Sequence, residues 1–398
     1  MVMKLKMYKE DEKDKKVNTK NIPASLKLLN RKVVYNMIAK EAGMSRADIA
    51  RKTGISGATV IRIVEYLMSK DIVIYDALEN IIQPGRKPTP LRFNSDFAYI
   101  IAVYMEGFYA SMGILNTSGM VKFSTEFKIP DFARFMKMDF YNQIDYLIKA
   151  SGIDRKKLIG IGMAIPAAFD SKTHQVYRTP LSHAFWLSNL ETLVSKLGSR
   201  YKVPVFVEND VNAAAYGEYR SAYSETTSSL IYVSLGSGLG GGIILNGKLW
   251  KGQSASAGEL GYLILDTPEN GLKDSGMLPE NTGWLENRTD LVALKEKFGF
   301  DIQSLTKVMN EKQIVDYLSK YLALAVFNIN AVLDIKTVVL GGVLADHFAE
   351  ILVEKTRQKL ERSSQFAPLV VSGKIKNPSF VGLSYIVMDE LLDGILSY

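Results

Sequence analysis

The chain has 398 residues, of which 47% are hydrophobic and 23% charged, and it contains no cysteine. This length predicts two or three domains, and the lack of cysteine excludes disulfide bonds and thiolate metal sites. The charged residues 1–20 offer no signal-peptide core. Polar residues such as Asn328 and Asp334 interrupt the apolar run 321–345, which predicts buried elements rather than a membrane span. We therefore expect a cytoplasmic protein with no membrane partner.

The net charge of +7 is concentrated near the N-terminus. Residues 1–90 hold 18 Lys and Arg against 10 Asp and Glu, a balance of +8, whereas the rest of the chain carries −1. Basic segments bind polyanions because counterions are released on contact. The distribution predicts a nucleic-acid partner for this first quarter, with a solubilising tail as the alternative.

Three stretches of different composition divide the chain. Residues 1–20 carry charges of both signs and predict a mobile charged arm. Residues 21–94 hold helical patterns followed by a linker rich in proline and glycine. From residue 95 to residue 398, strand and helix patterns alternate, which favours an α/β domain.

Two segments of this last domain share one pattern. Residues 101–123 and 230–252 each have the pattern of three strands joined by two tight turns, and the second segment contains the hairpin signal Asn246-Gly247. A repeated antiparallel meander indicates two related lobes.

Residues 45–60 have the pattern of two short helices joined by a tight turn. Ser45 is a good N-cap, and Asp48 follows three residues later, near the positive end of the helix dipole. Gly54 permits a sharp turn, and Ser56 caps a second helix. The arrangement is typical of a helix-turn-helix, which places the start of its second helix in the major groove. A helical hairpin that binds nothing is the alternative.

Apolar spacing divides the second helix into two faces. The core-facing residues are Val60, Ile63, Val64 and Leu67. Residues 72–75 and 91–93 can pair as a wing, and the loop between them can enter a minor groove or serve only as a basic linker. The predicted DNA-contacting residues are Ser45, Arg46, Ser56, Ala58, Thr59, Arg62, Arg86 and Lys87.

The signatures in residues 30–94 resemble the DNA-binding domain of the ROK family, which groups repressors and sugar kinases. They are Ser-Arg-x-x-Ile-Ala, Gly-Ile-Ser and Gly-Arg-x-Pro, and they follow one another in the order that the family shows. The resemblance implies that Thr59 and Arg62 face bases and that Arg86 reaches the minor groove.

Residues 207–215 place an Asn-Asp pair between an apolar strand pattern and a run of alanines. At such a strand end Asn209 and Asp210 can hold adjacent sugar hydroxyls, and Asp210 can accept a proton from an attacking hydroxyl. A turn or helix cap is the alternative role. This segment and residues 160–166 also resemble the ROK family, and the resemblance extends from about residue 98 to the C-terminus.

The ROK resemblance implies further contacts in this domain. It adds Glu259, Tyr262 and Glu286 to Asn209 and Asp210 as sugar contacts. Glycines let a backbone approach an anion closely, although hairpin turns use them too. The resemblance implies remnants of phosphate and nucleotide loops at Gly236, Gly238, Gly240, Gly341 and Gly342. The implied fold is a two-lobed actin-like, ribonuclease H-like domain of the sugar-kinase type.

The first phosphate loop departs from the family pattern Asp-x-Gly-Gly-Thr-Lys. In an alignment on Gly113, Tyr104 replaces the metal-binding Asp, and Glu106 replaces a glycine with a charge that repels a triphosphate. Phe108 and Tyr109 replace the Thr and Lys. Because phosphoryl transfer depends on positioning and charge stabilisation, we expect no ATP or magnesium to bind and no enzyme activity.

The zinc site of the family is also altered. Its His position is Tyr262, and its cysteine positions read Met277, Pro279 and Trp284, so no zinc is expected there. We expect no metal and no other cofactor. The predicted sugar contacts Asn209, Asp210, Glu259 and Glu286 keep the residue types of the family. The pocket can therefore bind a sugar without phosphoryl transfer.

The combined prediction is a winged helix-turn-helix (α+β) domain followed by a two-lobed actin-like α/β domain. We expect a sugar-responsive repressor of carbohydrate-metabolism genes, with a monosaccharide such as xylose, glucose or an N-acetylated hexosamine as effector. Its DNA partner is a double-stranded operator with paired half-sites, which predicts a homodimer or tetramer. Two alternatives stay open: an ATP-dependent sugar kinase with Asp210 as its catalytic residue, and a DNA-binding protein whose second domain is only a dimerisation scaffold.

Overall fold

The computed structural model describes residues 22–76, 90–106, 109–129, 135, 139–170, 173–178, 189–266, 283–300, 311–361 and 367–397. The predicted N-terminal arm and the loop residues Arg86 and Lys87 lie outside these ranges. The chain divides into two compact units, Met1–Asn94 with Leu391–Tyr398, and Ser95–Glu390. Among the described helices, none is long and apolar enough to cross a membrane.

The first unit has the arrangement of a winged helix-turn-helix. Its elements are α1 (Ile22–Lys40), α2 (Arg46–Thr53), α3 (Gly57–Ser69), β1 (Val73–Tyr75) and β2 (Leu91–Phe93). β1 and β2 pair antiparallel, with Ile74 opposite Arg92, as the sequence predicts for a wing. The predicted apolar face of α3 is buried, and α3 contacts both α1 and α2.

The second unit contains two five-stranded sheets and a short hairpin. Its strands are β3 (Tyr99–Glu106), β4 (Tyr109–Asn116), β5 (Val121–Lys128), β6 (Leu158–Ile165), β7 (Ala168–Phe169), β8 (Val176–Arg178), β9 (Val205–Asn209), β10 (Leu230–Leu235), β11 (Leu239–Leu245), β12 (Lys248–Leu249), β13 (Thr337–Gly341) and β14 (Leu369–Ser372). Its helices are α4 (Phe140–Ser151), α5 (Leu190–Tyr201), α6 (Asp210–Glu218), α7 (Glu286–Thr289), α8 (Leu291–Phe298), α9 (Glu311–Leu333), α10 (Val343–Glu361) and α11 (Pro378–Ser397).

The two large sheets share one topology. The first has the strand order β5-β4-β3-β6-β9, and the second has the order β12-β11-β10-β13-β14. In each sheet three strands form an antiparallel meander, and two further strands join in parallel. This repetition confirms the two related lobes that the sequence predicts, and it is the actin-like arrangement.

The C-terminal end of α11 belongs to the first unit, since Leu391–Tyr398 group with it. The last carbonyl groups of a helix lack partners within that helix. Here Arg31 Nη1 donates a hydrogen bond to Leu396 O, and the Tyr66 hydroxyl donates to Ile395 O at 3.0 Å. The Arg31 guanidinium also lies 3.6 Å from the centre of the Tyr66 ring. α1 and α3 therefore hold the end of this helix.

Two glycines allow α6 and α11 to cross with their backbones in contact. A Cβ atom at Gly382 would lie 1.7 Å from the Ala213 carbonyl oxygen, and one at Gly217 would lie 2.1 Å from the Pro378 carbonyl oxygen. Because no side chain fits at either position, any substitution there must separate the two helices.

Replacing Arg31 by alanine should destabilise the first unit. Arg31 is 6% exposed, and its loss leaves a buried helix carbonyl without its donor, which costs about 1–3 kcal/mol. The control Lys32→Ala removes the ion pair with Asp393, whose side chain is 59% exposed, and such surface pairs are worth about 0–1 kcal/mol. Chemical denaturation measures both effects. Equal destabilisation by the two substitutions would contradict this role of Arg31.

Candidate functional site

The turn between α2 and α3 is fixed by a reciprocal cap and a glycine. The Asp48 N–H donates to Ser45 Oγ and the Ser45 N–H donates to Asp48 Oδ2, each at 3.2 Å. Hydrogen bonds from Ser45 hold the pKa of the Asp48 carboxyl below its usual value. Gly54 adopts a left-handed φ of +71°, a conformation that residues with a Cβ atom rarely adopt. Ser45 itself is buried and serves this cap.

The start of α3 presents the exposed face expected of a recognition helix. Ser56, Ala58 and Arg62 are exposed, and Thr59 is half-buried. The Thr59 N–H donates to Ser56 Oγ at 3.3 Å, so Ser56 caps the helix. An exposed arginine on such a helix suits an acceptor-rich base edge. The structure thus brings these four predicted residues together on one surface.

Arg46 lies at the start of α2 and is engaged within the first unit. Its guanidinium donates to the Tyr75 hydroxyl at 3.2 Å and lies 5.6 Å from the centre of that ring. Arg46 therefore joins α2 to the wing strand β1, a contact that the sequence did not indicate. The other predicted basic residues of the wing, Arg86 and Lys87, fall outside the described residues.

The Asn-Asp pair lies where β9 ends and α6 begins. Asn209 is the N-cap of α6, because its Oδ1 accepts the N–H groups of Val211 and Asn212, both at 3.0 Å. Its Nδ2 donates to Ala167 O at 3.3 Å, which ties the end of β9 to the residues after β6. The cap that the sequence left open as an alternative is therefore present. Asp210 is half-buried at the first position of α6.

Glu286 brings together three of the predicted segments. Its two carboxylate oxygens accept backbone N–H groups, one of them that of Leu239 at 3.2 Å. A Cβ atom on Gly238 would lie 2.5 Å from Glu286 Oε1, and one on Gly261 would lie 2.9 Å from Glu286 Cβ. The Glu286 carboxylate therefore lies between the glycine turn after β10 and the short turn Leu260–Tyr262.

The pKa of the Glu286 carboxyl reflects its burial and its neighbours. Burial raises the pKa of the Glu286 carboxyl, hydrogen bonds from two backbone N–H groups lower it, and the charges of Asp290 and Glu259 raise it. Glu259 is therefore near enough to Glu286 to repel it. Carboxylates of this kind accept hydrogen bonds from the hydroxyls of a neutral ligand. Tyr262 is half-buried at the end of the same turn.

The glycines after β10 allow a turn and a close approach. The Gly236 N–H donates to Gly238 O at 3.0 Å, which closes the turn between β10 and β11. A Cβ atom on Gly240 would lie 2.8 Å from Val211 Cγ2, so Gly240 lets β11 approach the start of α6. The hairpin use of glycine, which the sequence left open, is present, and the anion-binding role that the resemblance implies stays a prediction.

β13 ends at Gly341 against a buried tyrosine, and Gly342 follows the strand. A Cβ atom on Gly341 would lie 2.1 Å from the Tyr232 hydroxyl oxygen. Burial raises the pKa of that hydroxyl. A tyrosine ring therefore lies against the segment that the resemblance assigns to the nucleotide.

Tyr104 lies among apolar side chains on the first sheet. It is opposite Ser111 in the β3–β4 ladder and packs against a cluster that includes Ala164, Phe380 and Leu383. An aromatic ring therefore stands at the position that the alignment assigns to a metal-binding aspartate.

Trp284 stands at one of the positions that the alignment assigns to zinc-binding cysteine. The Arg288 guanidinium lies 3.7 Å from the centre of the Trp284 ring and donates to Trp284 O at 2.6 Å, and the Tyr321 ring packs edge-on at 6.0 Å. Met277 and Pro279 lie outside the described residues. Within the described part of the chain, no group of three or more His, Cys, Asp or Glu could hold a metal ion.

Two family models match the chain. The ROK family model matches residues 107–390, and a winged helix-turn-helix DNA-binding model matches residues 29–74. The xylose repressor of Bacillus subtilis (strain 168) is 26% identical over 392 residues, which cover 93% of this chain and 97% of that protein.

Solved structures show the same fold. A ROK family transcriptional regulator, a homolog of the E. coli MLC protein, matches with a TM-score of 0.72 at 20% identity and covers 93% of this chain and 98% of that one. A ROK hexokinase from Thermus thermophilus matches with a TM-score of 0.56 at 21% identity, covering 74% of this chain and all of that one. Because the ROK model matches well over half of its residues, the chain belongs to the ROK family.

Proposed function

We propose that this protein is a sugar-responsive transcriptional repressor that binds DNA through its first unit. The observation that carries the proposal is the presence, in one chain, of a winged helix-turn-helix at residues 29–74 and a ROK domain at residues 107–390. Similarity to a xylose repressor along almost its whole length supports it. Genes of carbohydrate metabolism are the proposed targets.

The start of α3 supports the DNA-binding half of the proposal. Ser56 and Ala58 are small, so base edges can approach closely, and Arg62 can donate two hydrogen bonds to a guanine. The balance of +8 in residues 1–90 attracts the phosphate backbone. Because helix-turn-helix proteins read paired half-sites, we propose an operator of that kind, bound by a homodimer or tetramer.

A monosaccharide is the proposed effector. Its site, the sugar pocket, is defined by Asn209, Asp210, Glu259, Tyr262 and Glu286. The contacts of Glu286 with the glycine turn and with Gly261, and the approach of Gly240 to Val211 beside the Asn-Asp pair, support the convergence of these segments. Polar groups that match a set of hydroxyls select strongly against ligands that lack them. A sugar that binds one arrangement of the two lobes more tightly shifts the protein toward it and thereby changes DNA affinity.

Sugar phosphorylation is not part of the proposal. Tyr104, at the position that the resemblance assigns to a metal-binding aspartate, packs against the apolar cluster that includes Phe380, and Tyr232 lies against Gly341. Phosphoryl transfer requires stabilisation of the phosphate charges, and neither tyrosine supplies it. We propose that the domain is an effector domain rather than an enzyme and that it binds neither ATP with magnesium nor zinc.

Replacing Arg62 by alanine should weaken operator binding by about 1–3 kcal/mol and relax the base preference at one position. Arg62 is exposed, so its loss removes a base contact without disturbing the core. The control Lys312→Ala removes an exposed positive charge from the second unit and should leave affinity unchanged. Fluorescence anisotropy with a selected and a scrambled duplex at equal salt measures both. A lack of sequence preference in the unmodified protein would refute the proposal.

An effector sugar should raise the unfolding temperature. At a free concentration of 100 times its Kd, a ligand stabilises the native state by about 2.7 kcal/mol. A thermal-shift panel of xylose, glucose and N-acetylglucosamine measures the effect, and Asp210→Asn should remove it because a charged hydroxyl acceptor is lost. The absence of a shift with every sugar would favour a dimerisation scaffold instead.

The purified protein should release no ADP from ATP in the presence of the same three sugars. We expect this result because Tyr104 stands at the position that the resemblance assigns to a metal-binding aspartate, and a tyrosine does not supply that carboxylate. A coupled ADP-release assay, with a ROK hexokinase as positive control, makes the measurement. Turnover that Asp210→Asn abolishes would establish the kinase alternative, with Asp210 as the general base.

A further inference from the structure

An ion pair joins the edges of the two large sheets. Glu208 lies on β9, an edge strand of the first sheet, and Lys251 follows β12, an edge strand of the second. Lys251 Nζ lies 2.5 Å from Glu208 Oε2, and the two side chains are 35% and 4% exposed, respectively. Neither residue is among the predicted sugar contacts. The pair links the two lobes one residue away from Asn209.

Glu208 holds the start of α6 with its other oxygen. Its Oε1 accepts the backbone N–H of Asn209 at 3.0 Å and the side-chain Nδ2 of Asn212 at 3.1 Å. A carboxylate buried this deeply needs a partner, because desolvation strongly disfavours an isolated charge. Since Lys251 supplies the positive charge, the backbone of the Asn-Asp pair is supported by a residue attached to the other sheet.

Lys251 also begins the loop that leads to Glu259. The Ala257 N–H donates to Lys251 O at 3.1 Å, which closes this loop, and the Gly241 N–H donates to Gly258 O at 2.7 Å. Gly258 has a φ of +91°, and a Cβ atom there would lie 1.9 Å from Gly241 O. The loop is therefore packed directly against β11, and Glu259 is the next residue after Gly258.

We propose that Lys251 is a positioning residue of the sugar pocket. Its side chain supports Asn209 and Asp210 through Glu208, and its main chain closes the loop that presents Glu259. Together with the packing of β11 against α6, this ion pair thus contributes to the separation of two walls of the pocket. The inference rests on the proposed function, which assigns this pocket to a monosaccharide.

A pair that only stabilised the fold would behave differently from a pair that sets the pocket. The first kind lowers the stability of the free and the sugar-bound protein equally, so the sugar Kd does not change. The second kind changes the Kd, because without it part of the binding free energy is used to bring the two walls to their bound separation. The Kd therefore separates the two roles.

The test compares Lys251→Met, which removes the charge, with Lys251→Arg, which keeps it. Lys248→Met is the matched control, since Lys248 is exposed on β12 and its replacement leaves the partner of Glu208 in place. Isothermal titration calorimetry with xylose, glucose and N-acetylglucosamine gives each Kd. We expect Lys251→Met to raise the Kd at least about tenfold, equivalent to about 1.4 kcal/mol. Lys251→Arg should recover most of that loss, and the control should match the unmodified protein.

A double variant, Glu208→Gln with Lys251→Met, guards against misfolding of the single variant. It removes both charges, so no unpaired carboxylate is left buried, yet the link between the sheets is still absent. We expect its Kd to stay raised. Binding equal to that of the unmodified protein, in the single or the double variant, overturns the inference.

Failure of the proposed function gives a different result. If none of the three sugars binds the unmodified protein, the effector role is wrong, and amide hydrogen exchange then tests the positioning role of Lys251 directly. Lys251→Met must accelerate exchange at the N–H groups of Asn209 and Ala257 and leave α9 unchanged. Uniform acceleration along the chain, or none, overturns the inference.

Discussion

The second unit depends on the crossing of α6 with α11. Gly217 and Gly382 leave no room for a side chain between the helices, so the two backbones meet directly and the position of α6 is narrowly defined. The Ser379 hydroxyl donates to the Asp210 carbonyl at 3.2 Å, where both helices begin. β11 packs against α6 as well, and Gly242 has no space for a side chain there. A helix held this closely by two neighbours gives the Asn-Asp pair at its start a defined place.

Features set by near neighbours could be predicted from the sequence, and features set by the fold could not. The caps at Ser45 and Ser56 and the repeated meander follow from turn chemistry and periodicity within a few residues. Arg31 and Leu396, by contrast, are 365 residues apart, and the pair of Glu208 with Lys251 joins two separate sheets. Only the complete fold brings such partners together, so no pattern in the linear sequence points to them.

Two roles that the sequence offered as alternatives for Asn209 are physically compatible. Its side chain caps α6 and donates to Ala167 O. These hydrogen bonds hold the Asn209 side chain in one rotamer in the absence of a ligand. Glu286 is held in the same way by two backbone N–H groups. Groups that are ordered in advance lose less conformational entropy on binding. In the proposed pocket, structural hydrogen bonds therefore contribute to affinity without touching the ligand.

The contribution of residues 391–397 to the first unit affects the order in which the protein can fold during synthesis. The ribosome makes α1, α2 and α3 early, and domains generally fold as they emerge. The carbonyl groups that Arg31 and Tyr66 bind emerge only after residues 95–390 have been made. The first unit is therefore complete only after the C-terminal end of α11 has been synthesised. A prematurely terminated product lacks this support, so a stop codon within the second unit weakens the DNA-binding unit as well, rather than releasing it intact and unregulated.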